Sequence, residues 1–221
     1  MYSSLPLQLV QQIDKAVEIL NGGGIVAFPT DTVYGLGADV FNNEAVEKVY
    51  KVKQRPRHLP LPVLLADATQ VSVVAGSVSE IAQVLMKHFW PGGLTLVLSK
   101  AASFPGNITG VSDNIAIRIP NHIVPLTIIR KLGVPIIGTS ANISDGPSAV
   151  TAQEVEMQLG KDVDLIVDGG RCPGGLESTV VDVTGETLVV LRQGIIPESE
   201  IRKVCEKYCR KAGKNASCFG L

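Results

Sequence analysis

The chain has 221 residues, of which 45% are hydrophobic, 19% charged and only 5% aromatic. That balance excludes a disordered chain and fits one packed domain, or two small ones, with a core of Val, Ile, Leu and Ala. Lys and Arg number 20 against 21 Asp and Glu, a net charge of -1, which argues against gripping nucleic acid by bulk electrostatics but leaves room for a local basic site. No apolar run approaches the ~20 residues of a membrane span. The N-terminus lacks the basic and apolar regions of a signal peptide. Cys172, Cys205, Cys209 and Cys218 form no C-x-x-C pair. A reduced, cytoplasmic setting is therefore expected, without a disulfide framework or zinc site.

Along the chain, Val10, Ile13, Val17 and Leu20 recur at helical spacing, and Gly22, Gly23 and Gly24 end that helix. A short apolar strand over 25–28 runs into a loop rich in Gly, Asp and Thr. Asn42 or Asn43 caps a helix through Val46, Val49 and Tyr50, which stops near the charged loop KQRPRHLP. A buried strand is expected over 61–66. Ser79 caps a helix that Trp90, Pro91, Gly92 and Gly93 bring to a stop. Strands follow over 94–98 and 115–119, then a helix over 123–132, a strand over 134–137 and a helix capped by Thr151. Further strands are expected over 165–167, 179–183 and 187–191, the last two as an antiparallel hairpin. A helix over 201–208 comes last. There is no internal repeat and no compositional break. The fold class expected is α/β (α+β): a twisted, mixed parallel and antiparallel sheet with packed helices, in one domain over 1–211, with 212–221 as a flexible tail.

Several familiar chemistries find no support. Walker, dinucleotide and hydrolase-elbow motifs are missing, and His58, His88 and His122 have no metal-ligand spacing. What remains are polar clusters, several of them at strand ends, where sheet proteins place ligand sites. Thr30, Asp31 and Thr32 lie in PTDTVYGLG, and either cap a turn or face a ligand. Lys53 and Arg55, fixed by Pro56, suit a polyphosphate, Lys as a point charge and Arg as a bidentate fork, or form a solvated loop. Ser140 and Asn142 lie in GTSAN, with Ser148 shortly after. Arg118 lies on an apolar strand and needs an anion, either an internal carboxylate or a substrate's. Ser178 opens STVVDV, and Arg192 follows in RQG.

Taken in order, PTDTVYGLG, KQRP with PL, WPGGLTLVL, IAIRIPNH, GTSAN, VDGG, STVVDV and RQG resemble the YrdC-type threonylcarbamoyl-AMP synthases. The resemblance runs from about residue 13 to 197, and the chain looks like the short, single-domain form. It implies a nucleotidyltransferase that condenses L-threonine, bicarbonate and ATP into threonylcarbamoyl-AMP and pyrophosphate, the first step of a tRNA modification. It implies Mg2+ arriving with ATP, no protein-bound metal, a downstream tRNA threonylcarbamoyl-transferase machinery, no membrane and at most a weak tRNA contact.

By the same resemblance Lys53 and Arg55 are the catalytic pair and grip ATP phosphates. Leu59, Asn114, Ser140, Asn142, Ser148 and Arg192 fall at other ATP-binding positions, though relatives often have Thr in place of Asn114. Only the backbone of Leu59 can serve, at a position where a polar residue is common. Thr32, Arg118, Gly138 and Ser178 fall at threonine-binding positions. Leu64 departs from the pattern, standing where many longer relatives carry a threonine-contacting His. Two other functions are weighed. One is a non-catalytic RNA- or nucleotide-binding module, which the neutral charge and few aromatics disfavour. The other is carbamoyl transfer as in hydrogenase-maturation proteins, whose greater length and zinc motifs are missing here.

Overall fold

The computed structural model describes residues 5–106, 108, 110 and 112–211; the expected tail over 212–221 lies outside them. Helix α1 (Leu7–Asn21) leads into β1 (Val26–Phe28) and β2 (Gly35–Gly37). Next come α2 (Asn43–Val52), β3 (Val63–Leu64), α3 (Val71–Val74) and α4 (Glu80–Phe89). They are followed by β4 (Leu94–Ser99), β5 (Asn114–Arg118), α5 (Ile123–Leu132), β6 (Ile136–Ile137) and β7 (Thr139–Ser140). The chain then forms α6 (Ala152–Leu159), β8 (Leu165–Ile166), β9 (Thr179–Asp182), β10 (Val189–Arg192) and α7 (Glu198–Lys211). None of the helices among the described residues is long and apolar enough to cross a membrane.

The helices start where short polar side chains satisfy loose backbone N–H groups. Asn42 accepts from the Ala45 N–H, Ser79 from Ala82 and Thr151 from Glu154. Helix α5 ends at Gly133, whose φ of 81° is left-handed and suits glycine. Cys172 and Cys205 are buried and free, whereas Cys209 is disulfide-bonded. The expectation of reduced cysteines throughout therefore fails at Cys209, since spacing along the chain does not reveal which cysteines meet in the fold.

The mixed α/β architecture is as expected, but the strands divide into two sheets. One has the order β7-β2-β1-β8 and the other β10-β9-β4-β5-β3-β6, each mixing parallel and antiparallel pairs. Strands β9 and β10 form the expected antiparallel hairpin. The chain crosses from one sheet to the other between β6 and β7 through the single residue Gly138. A Cβ there would lie 2.1 Å from Leu64 Cγ, so no side chain fits at the crossing.

The larger sheet has two unlike faces, because side chains alternate along each strand. Leu94, Leu96, Leu98, Ile115, Ile117, Val63 and Val181 enter the main core. The interleaved Thr95, Val97, Ala116, Arg118, Leu64 and Val180 face the opposite way and line a cavity. In register, Val97 pairs with Ala116 and Leu64 with Arg118. A second apolar cluster joins α1, β1 and α5 through Ile13, Leu20, Phe28, Val124 and Ile128.

Candidate active site

The cavity, about 520 Å³, has the larger sheet as its floor. Its walls come from the loops after β1, α2 and β7 and the segment leading into β9. At one end lies Arg118, 6% exposed. Its Nε donates to the Gly92 carbonyl (2.8 Å), Nη1 to Thr32 Oγ1 (2.8 Å) and Nη2 to Asp31 Oδ1 (2.6 Å). A buried guanidinium requires such partners. Of the two anions the sequence left open, the internal one is present, and it is Asp31. Asp31 also accepts from the Asn121 N–H at 2.9 Å, tying the start of α5 to this cluster. Thr30 donates to the Val33 carbonyl (2.7 Å), so the proton between Thr30 and Thr32 (2.9 Å) belongs to Thr32. Three of Arg118's five N–H donors are thus used, and two remain for a ligand. Burial pulls the guanidinium below its usual pKa, and Asp31 opposes that pull.

Lys53 is 1% exposed, yet among the described residues no carboxylate pairs with it. Its Nζ donates to the carbonyls of Ser140 (2.6 Å) and Asn142 (2.7 Å) and to Asn142 Oδ1 (3.1 Å). These bonds use all three ammonium protons and fix the GTSAN loop. Burial, reinforced by Arg55, lowers the Lys53 pKa to about 8, with Glu177 acting against the shift. Asn142 completes the loop by donating to the Gly146 carbonyl at 2.6 Å. Arg55 folds back over its own loop, with Nη2 on the Pro60 carbonyl (2.9 Å) and Nε 3.4 Å from the Leu59 carbonyl.

Across the floor, Ser178 connects the two ends. Its Oγ meets Thr95 Oγ1 at 2.8 Å, and its carbonyl accepts from Arg192 Nε (3.2 Å) and Nη2 (3.0 Å). Arg192 also pairs with Glu177, whose other oxygen accepts from Ser148 Oγ at 2.8 Å.

The cavity brings together Thr32, Lys53, Arg55, Arg118, Gly138, Ser140, Asn142, Ser148, Ser178 and Arg192. Leu59 and Asn114 do not join them. The Leu59 carbonyl is turned to Tyr50 Oη (3.1 Å) and Arg55. Asn114 shares the face of Ala116 and Arg118 but lies beyond the lining, opposite Ser99 at the far end of β5. Leu64 packs over Gly138 and presents an apolar wall where a His was a familiar alternative. Thr95, Asp145 and Glu177 received no role from the sequence, and Asp31 was read only as a turn cap or ligand contact, not as the partner of Arg118. Glu177 directly precedes Ser178, so adjacency was its only available signal.

Four cations (Lys53, Arg55, Arg118, Arg192) and two carboxylates (Asp145, Glu177) line the cavity, an excess that favours an anionic ligand. The lining contains no His and no Cys, so none of its hydroxyls has an imidazole base beside it. Among the described residues, no group of three or more His, Cys, Asp or Glu side chains is placed to hold a metal ion.

A family model named for Sua5, YciO and YrdC, and described as "Telomere recombination", matches residues 18–194. The chain belongs to this family. Threonylcarbamoyl-AMP synthase of Pyrococcus abyssi is 43% identical over 193 residues, covering 87% of this chain and 57% of its own length. The chain thus spans little more than half of that relative. A synthase of the same name from Vibrio cholerae is 33% identical and is covered over its full length, with 85% of this chain. Among solved structures, P. abyssi Sua5 complexed with L-threonine superposes with a TM-score of 0.85 at 43% identity, covering 87% of this chain and 56% of that one. The family match takes in every cavity residue named above, from Thr32 to Arg192.

Proposed function

We propose that this chain is a nucleotidyltransferase that makes threonylcarbamoyl-AMP and pyrophosphate from L-threonine, bicarbonate and ATP. The observation that carries the reading is the pairing of two cationic centres in one cavity without a protein nucleophile. Arg118, oriented by Thr32 and Asp31, receives the threonine carboxylate through the two guanidinium protons that the fold leaves unspent. Arg55, Arg192 and the loop held by Lys53 receive the ATP phosphates.

Threonine's amine and bicarbonate give a carbamate and water. A carbamate oxygen then attacks the α-phosphorus. The new oxygen–phosphorus bond forms as the bond to the β-phosphate oxygen breaks, and its electron pair leaves with pyrophosphate. The protein holds two anions side by side and neutralises the charge that builds on the departing group. Magnesium bound with the triphosphate would supply further neutralisation. The hard oxygen donors lining the cavity, Asp145 and Glu177, suit a cation that binds chiefly through phosphate and water. The product would pass, in the cytoplasm, to a tRNA threonylcarbamoyl-transferase machinery.

Support comes from synthases of this name among the relatives and from the threonine complex of P. abyssi Sua5. The test is pyrophosphate release from ATP with threonine and bicarbonate omitted in turn. Release only in the complete mixture is expected. Equal release without threonine would overturn the reading, and tight RNA binding with no turnover would replace it with a binding module.

A further inference from the structure

Among the described residues, a single buried side-chain polar atom has no hydrogen-bond partner, and it is Ser144 Oγ. Buried hydroxyls are nearly always satisfied, because leaving one unmet costs folding free energy. Ser144 belongs to the cavity wall, in the tight turn after Asn142. Three bonds fix the backbone of that turn. The Ser144 N–H donates to the Lys53 carbonyl (3.0 Å), the Gly146 N–H to the Ile143 carbonyl (3.0 Å), and Asn142 Nδ2 to the Gly146 carbonyl (2.6 Å). The next residue, Asp145, takes a left-handed backbone with φ 64° despite its side chain. Strain of that kind gathers at ligand sites.

The backbone is therefore anchored while the hydroxyl is held by nothing. No bond is lost when Ser144 turns about χ1 to bring Oγ to the cavity. The turn is tied to Lys53, and the charge of Asp145 acts on Arg55. Arg118 lies at the opposite end. A neutral donor beside two cations suits a phosphate oxygen better than an amino-acid carboxylate.

We infer that Ser144 is a further nucleotide-binding residue, whose hydroxyl donates to an oxygen of the polyphosphate. The inference rests on the nucleotide reading of the cavity given above. Calorimetric titration of Ser144→Ala with ATP and with inorganic tripolyphosphate, beside its melting temperature and its Michaelis constant for threonine, tests it. Affinity for both polyphosphates should fall roughly tenfold. The threonine constant should stay within about twofold, and the melting temperature should hold or rise, because the free protein loses no hydrogen bond. Undiminished polyphosphate affinity in the folded variant overturns the inference. So does a drop in melting temperature with all ligand constants moving together, which would make the hydroxyl structural. Wild-type protein that binds neither ATP nor tripolyphosphate would instead defeat the nucleotide reading itself, and the inference with it.

Discussion

At one end of the cavity Arg118 is almost inaccessible and meets Asp31, Thr32 and the Gly92 carbonyl. At the other end Arg55 rests on carbonyls of its own loop, and Arg192 on Glu177 and Ser178. The first arrangement is set by the fold before any ligand arrives. The second consists of half-exposed or exposed side chains whose present partners a phosphate can replace. Substitutions at the buried end should therefore disturb folding and binding together unless they keep the charge. Substitutions at the open end should reach binding alone.

The largest effect is expected for Arg118→Lys. An ammonium keeps the charge beside Asp31 but cannot reproduce the fork. The Michaelis constant for threonine should rise by at least about tenfold, while that for ATP stays within about twofold. An unchanged threonine constant in a folded variant would leave Arg118 as a purely structural partner of Asp31. Arg55→Ala comes next. It removes a charge-assisted contact worth about 1.5–3 kcal/mol, so kcat/KM for ATP should fall about tenfold to a hundredfold. The melting temperature should barely move, and a clear drop would erase the contrast between the two ends.

Lys53 joins the two behaviours, being buried yet bonded to the GTSAN loop. Its folded pKa of about 8 lies below the ordinary lysine value of 10.5. Between those values the unfolded chain binds more protons than the folded one, so this group's contribution to stability grows as pH rises through that window. Nucleotide affinity should move the opposite way, weakening above pH 8 as the cation is lost. Titrations at pH 7, 8 and 9 in buffers of differing ionisation heat should show proton uptake on ATP binding near pH 8. A flat profile would detach Lys53 from the nucleotide. The smallest effect is set by Ser79→Ala, away from the cavity. Losing this helix cap should cost about 1 kcal/mol and leave both Michaelis constants unchanged, giving the baseline for a purely structural change.

Much of this was readable in the residues. The caps at Asn42, Ser79 and Thr151 were legible because the N–H groups they satisfy lie three residues away. The site was legible where cations and hydroxyls interrupt apolar strands. Strands β2 and β7 were read as loops, since Gly35–Gly37 and Thr139–Ser140 carry no strand-like pattern and are ordered by pairing with each other. The crossing between the two sheets at Gly138 lies under Leu64, a contact across 74 positions (138 less 64) that no local pattern encodes. The arginine partners of Asp31 and Glu177 were missed for a similar reason. Each carboxylate acquires its role from an arginine distant in sequence, Arg118 for one and Arg192 for the other.

In the proposed reaction, one cavity joins a threonine-derived carbamate to the α-phosphate of ATP. Mass spectrometry of the nucleotide formed from ATP, L-threonine and carbon-13 bicarbonate tests it most directly. The expected product is an adenylate with the mass of threonylcarbamoyl-AMP that carries the heavy carbon and forms only when threonine is present. ADP and phosphate as the sole products, or an adenylate without the label, would contradict it.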